Sequence, residues 1–128
     1  MEQLNLNPTK TTPHVFFDPL LGKLVLEGRS SPEDSIGFYS PIMDKLNGSS
    51  YSTGTLTVEM KFDYFNSSSG RCLMDMIRVL GHIHANGTTI TVNWYYEEED
   101  DDMLEMGEDF EDISNLTFQY HIIQDLPQ

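Results

Sequence analysis

The chain has 128 residues, a formal net charge of −14 at pH 7 and 38% hydrophobic residues. That length fits one domain over residues 1–128 and not two, and the apolar content is enough to offset chain entropy, which excludes a disordered chain. A polyanion repels phosphate, so nucleic acid and anionic membrane are excluded as partners, and no stretch reaches the roughly 20 apolar residues of a membrane span.

In chain order, residues 1–13 are polar and read as a loose lead-in ending at Pro13. They lack the apolar core of an export signal and, with the single Cys72, predict a cytoplasmic chain. His14 to Asp18 is a short apolar run, Asp18-Pro19 and Gly22 supply a turn, and Lys23 to Gly28 alternates around Leu24 and Leu26, so a hairpin is expected. Ser30, Ser31, Pro32, Glu33 and Asp34 are helix-start residues. Pro41 interrupts the segment after them, and a helix is predicted only from Ser40 to Leu46, ending at Asn47-Gly48.

Leu56, Val58, Met60 and Phe62 alternate with Thr57, Glu59, Lys61 and Asp63, which predicts a strand with one buried face. The pattern returns in Ile90, Val92, Trp94 and Tyr96, and again in Leu116, Phe118, Tyr120 and Ile122. Between the first two of these strands, Leu73, Met76, Ile77, Leu80 and Ile83 recur at helical spacing. Ser67–Ser69 stand ahead of that helix as caps, and Asn86-Gly87 ends it. A further, acidic helix is expected from Asp101 to Phe110. The order is β-β-α-β-α-β-α-β, an α/β fold of about five strands with helices mainly on one face. The four Asn-x-Ser/Thr sequons at Asn47, Asn66, Asn86 and Asn115 read as turn and cap residues.

Two segments stand out chemically. Phe65-Asn66-Ser67-Ser68-Ser69-Gly70 joins a strand end to a helix start, where free N–H groups and the helix dipole favour an anion. A phosphoryl group there would bring nearly two negative charges beside Arg71, although serines at such a place also serve simply as caps. The second segment runs from Glu97 to Asp112 and holds 11 of the 21 acidic residues, while the other ten nearly balance the seven basic ones. Its embedded Met103, Leu104, Met106 and Phe110 make it amphipathic, and its charge suits a basic protein surface. A calcium loop fails, because Leu104 and Met106 occupy ligand positions. His82 and His84, two apart on a helix, point in different directions and make a poor metal pair, and Cys72 reads as packing. No nucleophile elbow, Walker loop or dinucleotide fingerprint is present, so neither catalysis, metal nor cofactor is expected.

Gly28-Arg29-Ser30-Ser31-Pro32-Glu33, Tyr64-Phe65-Asn66-Ser67-Ser68-Ser69, Trp94-Tyr95-Tyr96-Glu97, and Asp101-Asp102-Met103 through Gly107-Glu108-Asp109-Phe110 occur in an order and spacing that resembles the SiaC family of bacterial regulatory phosphoproteins. The resemblance spans about Thr12 to Phe118. It implies a fold akin to anti-sigma-factor-antagonist (STAS) domains and a switch run by a dedicated kinase and phosphatase. It also implies that the unphosphorylated form binds and activates a diguanylate cyclase, promoting cyclic-di-GMP synthesis and biofilm growth. The family's acceptor is a threonine directly after Tyr-Phe-Asn, and Ser67 holds that place here.

The chain therefore reads as a STAS-like regulatory binding protein with Ser67 as acceptor and Ser68 and Ser69 as fallbacks. Asn66, Arg71, Glu97, Asp101, Asp102, Glu108 and Asp109 are the expected partner surface. Two other readings are an adaptor without a phosphoswitch and a metal-binding protein.

Overall fold

A computed structural model describes residues 3–123. Their elements are β1 (Leu4–Leu6), β2 (His14–Asp18), β3 (Lys23–Ser30), α1 (Ser35–Gly48), β4 (Thr55–Phe65), α2 (Ser67–Ala85), β5 (Thr89–Glu97), α3 (Asp101–Ser114) and β6 (Thr117–Ile123). The strands form one mixed sheet in the order β1-β2-β3-β4-β5-β6. The first three are antiparallel neighbours, and β3 to β6 run parallel.

Each parallel step is a strand–helix–strand crossover, and successive strands advance in one direction across the sheet. Crossovers of one hand then lay every helix on the same face, where α2 packs against both α1 and α3. The alternating residues read from the sequence supply the dry side. Leu24, Leu26, Leu56, Val58, Met60, Phe62, Ile90, Val92 and Trp94 are all buried in one cluster with Leu73, Met76, Ile77 and Leu80 of α2. Over β4 to β6 the opposite face is polar: Glu59 accepts from Asn93 Nδ2 at 2.6 Å and from the Tyr95 hydroxyl at 2.7 Å, and the Tyr95 ring stacks on His121.

Three expectations need correction. The sheet has six strands, not five, because the lead-in contains β1, whose Leu4 and Leu6 pair opposite Phe17 and Val15. Two apolar residues at period two are too short a signal to stand out, but they are half-buried against the core. The first helix starts at Ser35, not Ser40, under a cap in which Asp34 Oδ1 accepts from Gly37 N at 3.0 Å. It passes through exposed Pro41, which removes one backbone donor, while Tyr39, Ile42 and Leu46 keep the helix docked.

Helix α3 presses close to the sheet. A Cβ on Gly107 would lie 2.6 Å from the Trp94 indole, whose Nε1 donates to the Met103 carbonyl at 2.9 Å. Phe110 meets Trp94 edge-on at 5.5 Å. The sequon asparagines serve helix ends: Asn66 starts α2, Asn86 ends it, Asn115 ends α3 at φ 59°, and Asn47 lies in the last turn of α1. Among the described residues no helix is long and apolar enough to cross a membrane. Since α1, α2 and α3 each follow a parallel strand, their N-termini gather at one end of the sheet, which brings the serine and acidic segments to the same end.

Candidate phosphorylation site and partner surface

Helix α2 begins where β4 ends. Asn66 is extended (φ −80°, ψ 175°), and its N–H donates to the Ser30 carbonyl at 3.0 Å, fixing the turn onto the end of β3. Its Oδ1 accepts from Ser69 N at 2.9 Å, so Asn66 is the N-cap and Ser67–Ser69 form the first helical turn. The expectation that the serines cap the helix is thereby corrected. Several good cap residues stand in a row, and the contact with Ser30, far away in sequence, selects among them.

The three serines have different surroundings. Ser69 is fully buried, with its Oγ 2.8 Å from Ser30 Oγ and 3.5 Å from Ser35 Oγ. Ser68 is exposed but engaged: its hydroxyl donates to Asn66 Oδ1 at 3.2 Å and lies 2.7 Å from Ser35 Oγ. Ser67 is exposed, and among the described residues its hydroxyl has no hydrogen-bond partner. Beneath them Ser30 Oγ is 2.6 Å from the buried Tyr39 hydroxyl. Burial pushes the Tyr39 phenol up to about 12, against the opposing effect of its bond to Ser30 and of the nearby Ser69 hydroxyl.

Ser35 and Tyr39 have no place in the sequence-based site, and Ser30 enters only as a helix-start residue and as part of the Gly28–Glu33 stretch of the resemblance. The contacts of Ser30 and Ser35 to the serine segment span 33 to 39 positions, Tyr39 joins through Ser30, and no local pattern announces them. Arg71 is exposed in the second turn of α2, and among the described residues the one ion pair joins Arg78 and Asp75.

In the acidic segment, Glu97 is the exposed last residue of β5, and Asp101 and Asp102 are exposed in the first turn of α3. Asp100 caps that helix, its Oδ1 accepting from Met103 N at 3.1 Å. Glu108 and Asp109 are exposed farther along. Met103 and Phe110 turn inward, leaving a surface that is chiefly acidic. Glu111 has structural work instead: its Oε2 accepts from Phe118 N at 3.0 Å and its Oε1 from the Tyr120 hydroxyl at 2.7 Å. It thus ties α3 to β6, a role that a charge count conceals. Cys72 lies in the core, where burial pushes its thiol pKa up. His84 Nδ1 accepts from Ile90 N at 3.1 Å.

Comparison with known proteins agrees with this geometry. An uncharacterized protein of Pseudomonas aeruginosa (strain UCBPP-PA14) is 25% identical over 119 residues, 92% of this chain and 94% of the relative. Apo-SiaC from Pseudomonas aeruginosa, a crystal structure, is 25% identical and aligns over 94% of this chain and 99% of its own with a TM-score of 0.82. A second crystal structure holds the diguanylate cyclase SiaD in complex with its activator SiaC from Pseudomonas aeruginosa. It shares this fold at 24% identity and a TM-score of 0.83, over 94% of this chain and 99% of the other. Residues 6–123 match the family described as SiaC family regulatory phosphoprotein. With that match over nearly its whole length, this chain belongs to the SiaC family of regulatory phosphoproteins.

Proposed function

We propose that this chain is a phosphorylation-switched, non-enzymatic binding protein of the cytoplasm, in which Ser67 is the acceptor. Unmodified, it binds and activates a diguanylate cyclase; a partner kinase adds phosphate and a partner phosphatase removes it. The observation that carries this reading is the state of the Ser67 hydroxyl, exposed on the first turn of α2 and free of hydrogen bonds among the described residues. The first turn of α2 contains no acidic residue, so a phosphate there meets unpaired N–H groups and the positive end of the helix dipole. Ser69 is buried and Ser68 is engaged, which leaves Ser67 the accessible choice. SiaC as the activator of SiaD supports the effector class, and the exposed carboxylates at Glu97, Asp101, Asp102, Glu108 and Asp109 offer a partner surface at or near the same end of the sheet.

The test is phosphorylation by the cognate kinase followed by peptide mapping. Ser67→Ala should abolish incorporation while circular dichroism shows the fold intact. Equal incorporation in that variant, mapped to Ser68 or Ser69, would show that Ser67 is not the acceptor.

A further inference from the structure

Ser67 and Ser68 are both exposed hydroxyls on the first turn of α2, yet they are not chemically equivalent. The Asn66 Oδ1 atom is only an acceptor, so the 3.2 Å contact places the Ser68 Oγ proton on it. With the proton there, the 2.7 Å contact, in which either hydroxyl can donate, runs from Ser35 Oγ–H to Ser68 Oγ. Ser35 is itself buried and held at the start of α1, where its Oγ also lies 3.5 Å from Ser69 Oγ. Ser68 Oγ is therefore clamped from both sides, its proton pointed at Asn66 and one lone pair occupied by Ser35.

Phosphoryl transfer to a serine makes an Oγ–P bond from an oxygen lone pair and breaks the γ-phosphorus–oxygen bond of a kinase-bound nucleoside triphosphate. The nucleoside diphosphate leaves, and the hydroxyl proton passes to a base on the kinase. A hydroxyl that must first be released from two partners is a poorer acceptor than one that rotates freely. We propose that Ser35 is a specificity-determining residue: by donating to Ser68 it withholds that hydroxyl and confines modification to Ser67. This rests on the reading of Ser67 as acceptor given above.

The full-length chain and its variants are incubated with the cognate kinase and ATP, and phosphate on each serine is quantified by peptide mass spectrometry. Ser35→Ala is expected to raise the ratio of Ser68 to Ser67 phosphate at least tenfold. Ser35→Thr, which keeps the hydroxyl, should restore the wild-type ratio. Ser30→Ala loosens the same cluster through Tyr39 and Ser69 without touching Ser68, and should leave the ratio unchanged. If Ser35→Ala keeps the wild-type ratio while Ser67 is modified normally, this inference fails and the Ser67 reading stands. An equal rise in Ser30→Ala also overturns it, because general loosening and not the Ser35 hydroxyl would then be the cause. Wild-type chain that takes phosphate on Ser68, or on no serine, overturns both readings.

Discussion

Helices α2 and α3 start at the same end of the sheet and are built in opposite ways. The start of α3 is saturated with charge: Asp100 is the cap, Asp101 and Asp102 lie in the first turn, and Glu97 to Glu99 precede it. The start of α2 has a neutral Asn66 cap, three serines and no carboxylate in its first turn. In a chain with 21 acidic residues, that difference separates two uses of a helix dipole. At α3 the positive end is already compensated, and a further anion would be repelled. At α2 the dipole is left open, so an added phosphate changes the local charge from none to nearly two.

Four experiments probe this contrast between the helix starts. The largest effect is expected from Gly107→Ala, which forces a Cβ to within 2.6 Å of the Trp94 indole. Overpacking of this kind costs about 1–3 kcal/mol, which should appear as a lower melting temperature, while Ser67 phosphorylation proceeds at its normal rate. Loss of both together would mean that the two helix starts are not independent.

Next is alkaline pH, which probes the hydroxyls beneath α2. Both folded and unfolded chains keep Tyr39 protonated below its ordinary value of 10.0, so its contribution is whole there. Between pH 10 and about 12 only the unfolded chain sheds the proton, and stability falls. Tyr39→Phe should lessen the fall in denaturation midpoints over that window, to which the raised phenols of Tyr51, Tyr95 and Tyr120 also contribute, and an equally steep fall in the variant would assign the whole loss to those groups.

Exchanging the caps gives a smaller and unequal effect. Asn66→Asp keeps the acceptor and adds charge where the first turn has none, a gain of about 0.3–1 kcal/mol, whereas Asp100→Asn removes one carboxylate from a start that keeps Asp101 and Asp102 and should move the urea midpoint less. An Asp100→Asn loss as large as the Asn66→Asp gain would contradict the contrast between the two helix starts. The smallest effect on equilibrium is expected from salt. If the exposed carboxylates from Glu97 to Asp109 steer the partner, association slows as salt rises and dissociation changes less. Stopped-flow association that is independent of salt would remove the acidic helix from the binding surface.

Much of this arrangement is legible in the sequence, because the signals are local. The alternation from Leu56 to Phe62 and the stripe from Leu73 to Leu80 both face the core as their periods require. The acidic run also becomes the expected helix, extended to Ser114. The features hidden from the sequence depend on contacts across the chain. β1 exists because Leu4 and Leu6 pair with β2, and α1 holds its shape through Pro41 because Tyr39, Ile42 and Leu46 are docked. At the candidate site, Ser67 follows from motif position, but its difference from Ser68 and Ser69 depends on Ser30 and Ser35, more than thirty residues away.

The central claim is that phosphate at Ser67 changes binding without undoing the fold, and one paired measurement on stoichiometrically phosphorylated protein tests it. Its melting temperature and its affinity for the host's diguanylate cyclase are determined beside those of the unmodified chain. Because the α2 dipole welcomes an anion, the melting temperature should hold or rise while the affinity falls at least tenfold. Tighter binding after phosphorylation, or a loss of affinity that appears only together with a collapse in melting temperature, would contradict the switch.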